Sequence, residues 1–366
     1  MRIAEVISFL ESVASPSLQE SYDNAGLIVG DADWECKGIL CTLDATEEVI
    51  REAVARGCNL VVAHHPIIFR GLKRVNGANY VERAVIYSIK QDVAIYAIHT
   101  NLDNVSHGVN GKIAEKIGLK NCSVLSPKPH TLSKLYTFVP LASADGVRDA
   151  LFEAGAGDIG DYSECSFNLE GRGTFKAGEA ATPHVGEVGT RHEEEECKIE
   201  VVFPTHLKWR MIVALWNAHP YEEPAYDVVD LANPHPEIGA GAVGELDNPM
   251  EESEFLALLQ GSFSAEVVRH SPLLRRPIRK VAVCGGAGSF LISNALQAGV
   301  DAFVTADLKY HEFFDADGRL LLVDIGHFES ERFTIDLLQE LLLQKFLTFA
   351  VLKTEVETNP VRYFHR

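Results

Sequence analysis

Four histidines and two carboxylates stand where the chain could use them for chemistry: His64 and His65 in "NLVVAHHPIIF", His99 and Asp103 in "HTNLD", and His327 and Glu331 in "GHFESE". Each group directly follows a short apolar run of strand-like composition. Ligand sites of open α/β sheets lie outside the carboxyl ends of the strands. A helix beginning near His327 would place Glu331 one turn further along the same face, since residues four apart are neighbours on a helix. Any one such histidine is an ordinary turn or capping residue. Three matching strand ends point instead to a shared metal site.

The donor set is imidazole and carboxylate with no cysteine nearby, which suits zinc, iron, manganese or nickel. A closed structural zinc site needs only four ligands. Five or six candidates fit better with two divalent ions about 3.5–4 Å apart, bridged by a carboxylate and by water or hydroxide. Such a pair lowers the pKa of bound water, which is hydrolytic chemistry.

The elements that must position these groups come in two sets. "KGILCTLDA", "CNLVVAHHP" and "VAIYAIHTNLD" are strands, each followed by an amphipathic helix. "RKVAVCGGAGS", "VDAFVTADL" and "RLLLVDIG" repeat that rhythm near the other end, with "KYHEFFDADG" read as one of the helices. Apolar runs alternating with amphipathic helices predict a parallel sheet covered on both faces, the two halves building one α/β core. Between them, "KLYTFVP" to "AYDVVDL" gives the order β-α-β-β-α-β of a ferredoxin-like α+β domain. The acidic, glycine-rich stretch 171–196, with "HEEEE", reads as a long exposed loop within it, and 232–244 as the link back to the core. The predicted organisation is therefore 1–128 and 232–366 as the two halves of the core, with 129–231 inserted.

Composition narrows the function classes. A formal charge of −19 argues against a broad basic surface for nucleic acid or anionic membrane. The seven cysteines, Cys36, Cys41, Cys58, Cys122, Cys165, Cys197 and Cys284, are scattered without a C-x-x-C and read as core residues in a reducing cytoplasm. The first stretch, "MRIAEVISFLESVAS", carries Glu5 and Glu11 and reads as an amphipathic helix rather than a signal peptide. The stretch "IDLLQELLLQKFLTFAVL" is broken by charged and amide residues and reads as a helix running into a strand, not a membrane span. No G-x-S-x-G elbow is present for a serine hydrolase.

Smaller signals carry two readings each. "CGGAGS" is either a phosphate cradle at a helix start or a tight strand–helix turn. Lys309 of "DLKYHE" could meet an anion, and His311 reads as a solvent-exposed helix residue. Asp44 and Glu47 read as a helix N-cap and its capping-box partner, and Asp23 and Asn24 as turn residues, with Asn24 within possible reach of the site.

"YDNAGL" (22–27), "AHHPIIF" (63–69), "IHTNLD" (98–103), "CGGAGS" (284–289), "ADLKYHE" (306–312) and "GHFESE" (326–331) resemble, in order, the landmarks of the Nif-three-like dinuclear metal-centre family, whose members are often labelled GTP cyclohydrolase I type 2 homologues. "GAGDIGDYSECSFNLEGRGTF" and "HPYEEPAYDV" resemble the insert of its long form, similar to the PII and CutA folds. The resemblance implies metal ligands at His64, His65, Asp103, His327 and Glu331, with Asp103 bridging and Glu331 able to share that role. It places His99 beside the site as a supporting partner or proton carrier. It also implies two divalent ions per subunit (zinc, iron or manganese), and a homohexamer, a trimer of dimers, with its metal sites facing an internal cavity. The ligand would be a small molecule, of which a nucleotide or another phosphorylated compound is one kind. Two functions follow: a metal-dependent hydrolase acting through a metal-bridging hydroxide, with GTP ring opening as one version, or a non-catalytic metal-binding, metallochaperone or regulatory assembly. One departure from the family pattern is Ala306, where a glycine is expected before Asp307.

Overall fold

Leu60 and Val62, in the strand that ends with the histidine pair, belong to one buried cluster, and Val61 and Ala63 to a second. A strand apolar on both faces needs cover on both. The computed structural model, which describes residues 1–364, supplies that cover with helices. The chain divides into two units: residues 1–127 with the chain from 236 onward, and residues 128–235.

The first unit opens with α1 (Ile3–Val13), which buries Ile3, Val6 and Leu10 at helical spacing. Strands β1 (Gly26–Val29), β2 (Ile39–Asp44), β3 (Leu60–His65) and β4 (Ala94–Ala97) follow. Helix α2 (Glu47–Ala55) comes after β2, α3 (Tyr80–Lys90) after β3, and α4 (Thr100–Asp103) and α5 (Val109–Ile117) after β4, before β5 (Lys120–Pro127). The second unit runs β6 (Leu132–Pro140), α6 (Ala144–Glu153), β7 (Ser166–Lys176), β8 (Arg191–Pro204), α7 (Lys208–Ala218) and β9 (Tyr226–Asp230). The first unit then resumes with β10 (Gly239–Met250), α8 (Glu252–Phe263), β11 (Arg269–His270), β12 (Ile278–Ala287) and α9 (Ile292–Gln297). It ends with β13 (Ala302–Ala306), β14 (Leu321–Asp324), α10 (His327–Glu331), α11 (Thr334–Lys345) and β15 (Val351–Lys353).

One core holds two mixed sheets, a correction to the expected parallel sheet. The first has the order β1-β4-β3-β2-β15, parallel except for β1. The second has the order β11-β14-β13-β12-β10-β5, parallel only from β12 to β14. The antiparallel strands β5 and β10 hold few consecutive large apolar residues, so their sequence carries no buried-strand signal. A single apolar cluster joins Val62 and Tyr96 of the first sheet to Val283 and Val323 of the second through Ile113 of α5, Phe255 of α8 and Leu338 of α11. Truncating a residue such as the fully buried Leu338 would cost about 2–5 kcal/mol.

Several local expectations are corrected. "KYHEFFDADG" forms a 3-10 helix over Tyr310–Ala316 rather than an α-helix. In the second unit, β7 runs to Lys176 and β8 starts at Arg191, so "HEEEE" lies in a strand and the connection is only 177–190. Continuous antiparallel pairing with β7, from Ser166 opposite Val201 to Lys176 opposite Arg191, holds these acidic residues extended while many of their side chains stay in water. Residues 239–244, taken as link, belong to β10. Cys122 is exposed and Cys165 half-buried, whereas the other five cysteines are buried. The second unit's sheet has the order β7-β8-β6-β9, antiparallel throughout.

Candidate metal centre

The histidine pair lies inside β3, not beyond it: Ala63 pairs with Thr42 and His65 with Asp44 of β2. The two imidazoles nonetheless meet, with ring centroids 4.9 Å apart, because each is drawn to a different neighbouring strand. His64 Nδ1 lies 2.9 Å from Ile98 O, just past β4. His65 Nδ1 lies 2.8 Å from Asp44 Oδ1, the end of β2. Pro66, which cannot donate to the ladder, follows at once.

The same arrangement recurs at the other histidines. His99 Nδ1 is 2.8 Å from Asp23 Oδ1, and His327 Nδ1 is 2.8 Å from Asp307 Oδ2. All four rings thus give Nδ1 to an oxygen acceptor. Histidines that bind metals characteristically hold their second nitrogen in this way, fixing tautomer and ring direction. The Nε2 atoms converge. Glu331 Oε2 is 2.9 Å from His65 Nε2 and 3.1 Å from His327 Nε2, and its Oε1 is 3.9 Å from His64 Nε2. Asp103 Oδ1 is 3.7 Å from His64 Nε2.

Two overlapping groups therefore present donor atoms within 4.8 Å of one another: His64, His65 and His99, and His65, His327 and Glu331. They share His65. His99, expected beside the site, stands in the first group, while Asp103 lies next to both without joining either. His64 Nε2 and Asp103 Oδ1 are buried and have no hydrogen-bond partner among the described residues. Buried polar atoms without partners are costly, and these two face the same convergence.

Electrostatics favour a cation there. Burial, above all, lowers the His64 pKa to about 3, so its imidazole is neutral. Burial works against charge on His65 and His327 too, but hydrogen bonds to Asp44 or Asp307 and to Glu331 outweigh it, raising them to about 10 and about 11. The same histidine contacts hold Glu331 well below the usual carboxylate range despite its burial. Burial and then the Glu331 charge push Asp103 well above that range. The protons held by His65 and His327 are the positive charge a divalent ion would bring, and metal ligands of these types give up protons on binding. Cys284 also lines the cavity, but burial pushes its thiol up, so it contributes no thiolate.

The glycines of "CGGAGS" make room for the carboxylate. Gly286 has φ +57°, and a Cβ there would lie 2.4 Å from Glu331 Oε1 and 3.2 Å from His327 Cε1. Gly285 N and Gly286 N donate to Asn110 Oδ1 and Ser330 Oγ. Those amides are thus committed within the protein, which favours the structural reading of this turn over a phosphate cradle. Lys309 N donates to Glu312 at the start of the 3-10 helix. Ala306 is the buried last residue of β13, and the residue taking positive φ, +55°, is Asp307 itself.

Two of the carboxylates that orient the rings, Asp44 and Asp23, do more than the cap and turn roles expected of them. Asp44 is not the N-cap of α2; Thr46 is, accepting from Val49 N. Asp44 instead holds His65 through Oδ1 and accepts from Thr358 Oγ1 through Oδ2 at 2.7 Å. Asp23 does fix its turn, accepting from Asn24 N, but it also holds His99 and Thr100. Asn24 Nδ2 donates to Ile68 O. A cavity of about 430 Å³ opens over the cluster, and exposed rings of Tyr22, Phe69 and Phe290 also line it.

Fold and cluster together define a mixed α/β protein with a histidine–carboxylate centre, able to hold a metal ion, at strand ends of two packed sheets. The chain belongs to the Duf34/NIF3 (NGG1p interacting factor 3) family, whose model matches residues 1–360. A Halalkalibacterium halodurans protein named GTP cyclohydrolase 1 type 2 homolog is 40% identical over 372 residues, covering 99% of this chain and 100% of that one. A Bacillus subtilis protein of the same name is 36% identical over 369 residues, covering 98% of each. The crystal structure of a Bacillus cereus protein related to NIF3 matches with a TM-score of 0.87 at 37% identity, covering 100% of this chain and 99% of that one. No helix among the described residues is long and apolar enough to cross a membrane.

Proposed function

We propose that the chain is a metal-dependent hydrolase of a small molecule, with two divalent ions held by His64, His65, Asp103, His327 and Glu331. The observation that carries this reading is the orientation of the imidazoles: four rings tethered at Nδ1, with the Nε2 atoms of His65 and His327 on the buried Glu331 carboxylate and that of His64 3.9 Å from it. Zinc, iron or manganese suits such a donor set. Bound there, the ions would supply Lewis acidity and lower the pKa of water at neutral pH.

The chain's own groups do the rest. Asp23, whose hydrogen bonds from His99 and Thr100 overcome the effect of burial and hold it well below the usual carboxylate range, keeps the proton on His99 Nδ1. His99 Nε2 is then free to serve as a ligand or to take a proton from substrate. Asp44 and Asp307 fix His65 and His327 in the same manner. The aromatic rings lining the cavity give a substrate ring or chain an apolar wall.

The same reading takes residues 128–235 as a ferredoxin-like insert of the PII and CutA kind, supported by their β-α-β-β-α-β order and antiparallel sheet. It also takes the assembly as a homohexamer, to be read by light scattering.

The test is to load the purified protein with zinc, manganese or iron and to offer GTP, phosphate esters and cyclic amides. Turnover by the native protein that an Asp103→Ala, His327→Ala double variant lacks is the expected result. Full metal loading with no turnover of any of these would overturn the hydrolase.

A further inference from the structure

Residues 128–235 form a partly open cavity of their own, which the metal reading does not use. Leu135 and Val139 of β6 and Cys197, Ile199 and Val201 of β8 pack with Leu151 of α6 and Leu215 of α7 in one buried cluster. Side chains alternate across a strand, so Phe138, Glu196 and Lys198 belong to the sheet face opposite those helices. The 177–190 connection and the segment before β9 cover part of that face. Thr182 N donates to Glu222 Oε1 at 2.9 Å, which ties the two together, and Gly189 N donates to Ala177 O at 2.9 Å, which closes the connection on itself. The cavity, partly open to solvent, has a volume of about 570 Å³, within the range of about 300–1,000 Å³ typical of small-molecule sites.

Its lining is specific in shape and charge. Phe138, Phe175 and Tyr221 supply ring surface, the last two with centroids 6.1 Å apart. Glu196 is only 8% exposed, and among the described residues its one hydrogen-bond donor is Tyr221 Oη, 2.9 Å from Oε1. Its Oε2 lies over Gly173, where a Cβ would come within 2.0 Å. The glycine thus leaves room for Oε2 at the cavity wall, in a carboxylate whose other oxygen is held by Tyr221. Glu170, Glu222 and Glu223 also line the cavity, against Arg172 and Lys198. Lys198 is engaged elsewhere, with Nζ 2.5 Å from Glu200 Oε1 and 4.4 Å above the Tyr136 ring.

We propose that this cavity binds a small organic cation, an amine or amidine on a flat apolar body, with its charge on Glu196 and its body against Phe138, Phe175 and Tyr221. A charged donor completes the hydrogen bonding of a buried carboxylate. Aromatic faces attract the same cation through their quadrupoles. An anionic ligand would meet like charge instead.

Three probes of one shape test this on the full-length, metal-loaded protein: benzamidine as the cation, benzamide as its neutral counterpart and benzoate as the anion, titrated by ligand-observed NMR. Saturable benzamidine binding is expected, with benzamide weaker by at least about tenfold and benzoate weaker still. Glu196→Gln should lower benzamidine affinity by at least about tenfold, with the melting curve and metal content unchanged. If that variant fails to fold, Gly173→Ala serves: its methyl group would crowd Oε2 on a backbone that does not take positive φ, and it should also weaken binding. The proposal is overturned if benzamidine shows no saturable binding, if the three probes bind alike, or if the folded variant binds benzamidine as well as the native protein does. None of these outcomes depends on catalysis at the metal centre.

Discussion

Glu331 Oε2 and His65 Nε2 lie 2.9 Å apart although 266 positions separate them. The contact joins the end of β3 in one sheet to α10 behind β14 of the other. The centre therefore exists only when the two sheets are packed. Replacing Glu331 by Ala should lower metal affinity by more than the about 10–100-fold typical of an outer partner, because this carboxylate is itself a donor of one group and contacts His65, the member both groups share. Metal analysis after dialysis against a competing chelator reads the effect. Native metal content in the variant would remove Glu331 from the site.

Asp44, Asp307 and Asp23 act one step further out. Each of Asp44→Ala, Asp307→Ala and Asp23→Ala frees one imidazole to turn, and should weaken metal binding by about 10–100-fold with little change in fold. Chelator competition on the three variants gives the comparison. Unchanged affinity in all three would mean the tethers hold the rings for packing alone.

Gly286→Ala should damage the centre through space as well as through backbone strain. At φ +57° the alanine costs about 1–2 kcal/mol, and its methyl group would strike Glu331 Oε1. Gly299→Ala is the control, since φ there is +64° and a Cβ would meet nothing within 4 Å. Both variants should melt at lower temperature, but only Gly286→Ala should lose metal. Equal metal content would place the clash elsewhere.

The second unit should lose stability as pH falls through the histidine range. Burial lowers the pKa of His219, whose Nε2 sits 3.0 Å from Phe138 O and whose Nδ1 accepts from Tyr221 N at 3.1 Å. The unfolded chain takes up that proton near the ordinary value of 6.5 and the folded one only lower. The stabilisation is thus complete above 6.5 and declines as pH drops toward the lowered folded value. Trp209 and Trp216 lie on α7 and Trp34 in the first unit, so tryptophan fluorescence during denaturation follows the second unit once Trp34 is replaced by Phe in every protein compared. A His219→Gln variant should show a shallower pH dependence below 6.5 than the native chain, and identical slopes would refute the assignment.

What could be read from sequence was set by how each residue earns its place. His64, His65, His99, Asp103, His327 and Glu331 were visible because a polar group at the end of an apolar run is conspicuous, and the helix over His327–Glu331 forms where the spacing asked for it. Asp23, Asp44 and Asp307 were not, although all three stand in motifs that drew attention. A carboxylate after a strand also makes a good turn or cap, and local spacing cannot tell that use from a bond to a distant ring. The division of the core into two mixed sheets was hidden for another reason. Pairing between β5 and β10 rests on backbone bonds across more than a hundred residues, and glycines such as Gly239 and Gly241 carry no apolar pattern.

The edge strand β15 gives the chain an order of manufacture. Val351–Lys353 completes the first sheet beside β2, and Thr358 then reaches Asp44 behind His65. During synthesis the histidine pair is made early, yet its flank stays open until nearly three hundred further residues have emerged. A metal ion arriving sooner would meet His64, His65 and Asp103 without His327 and Glu331.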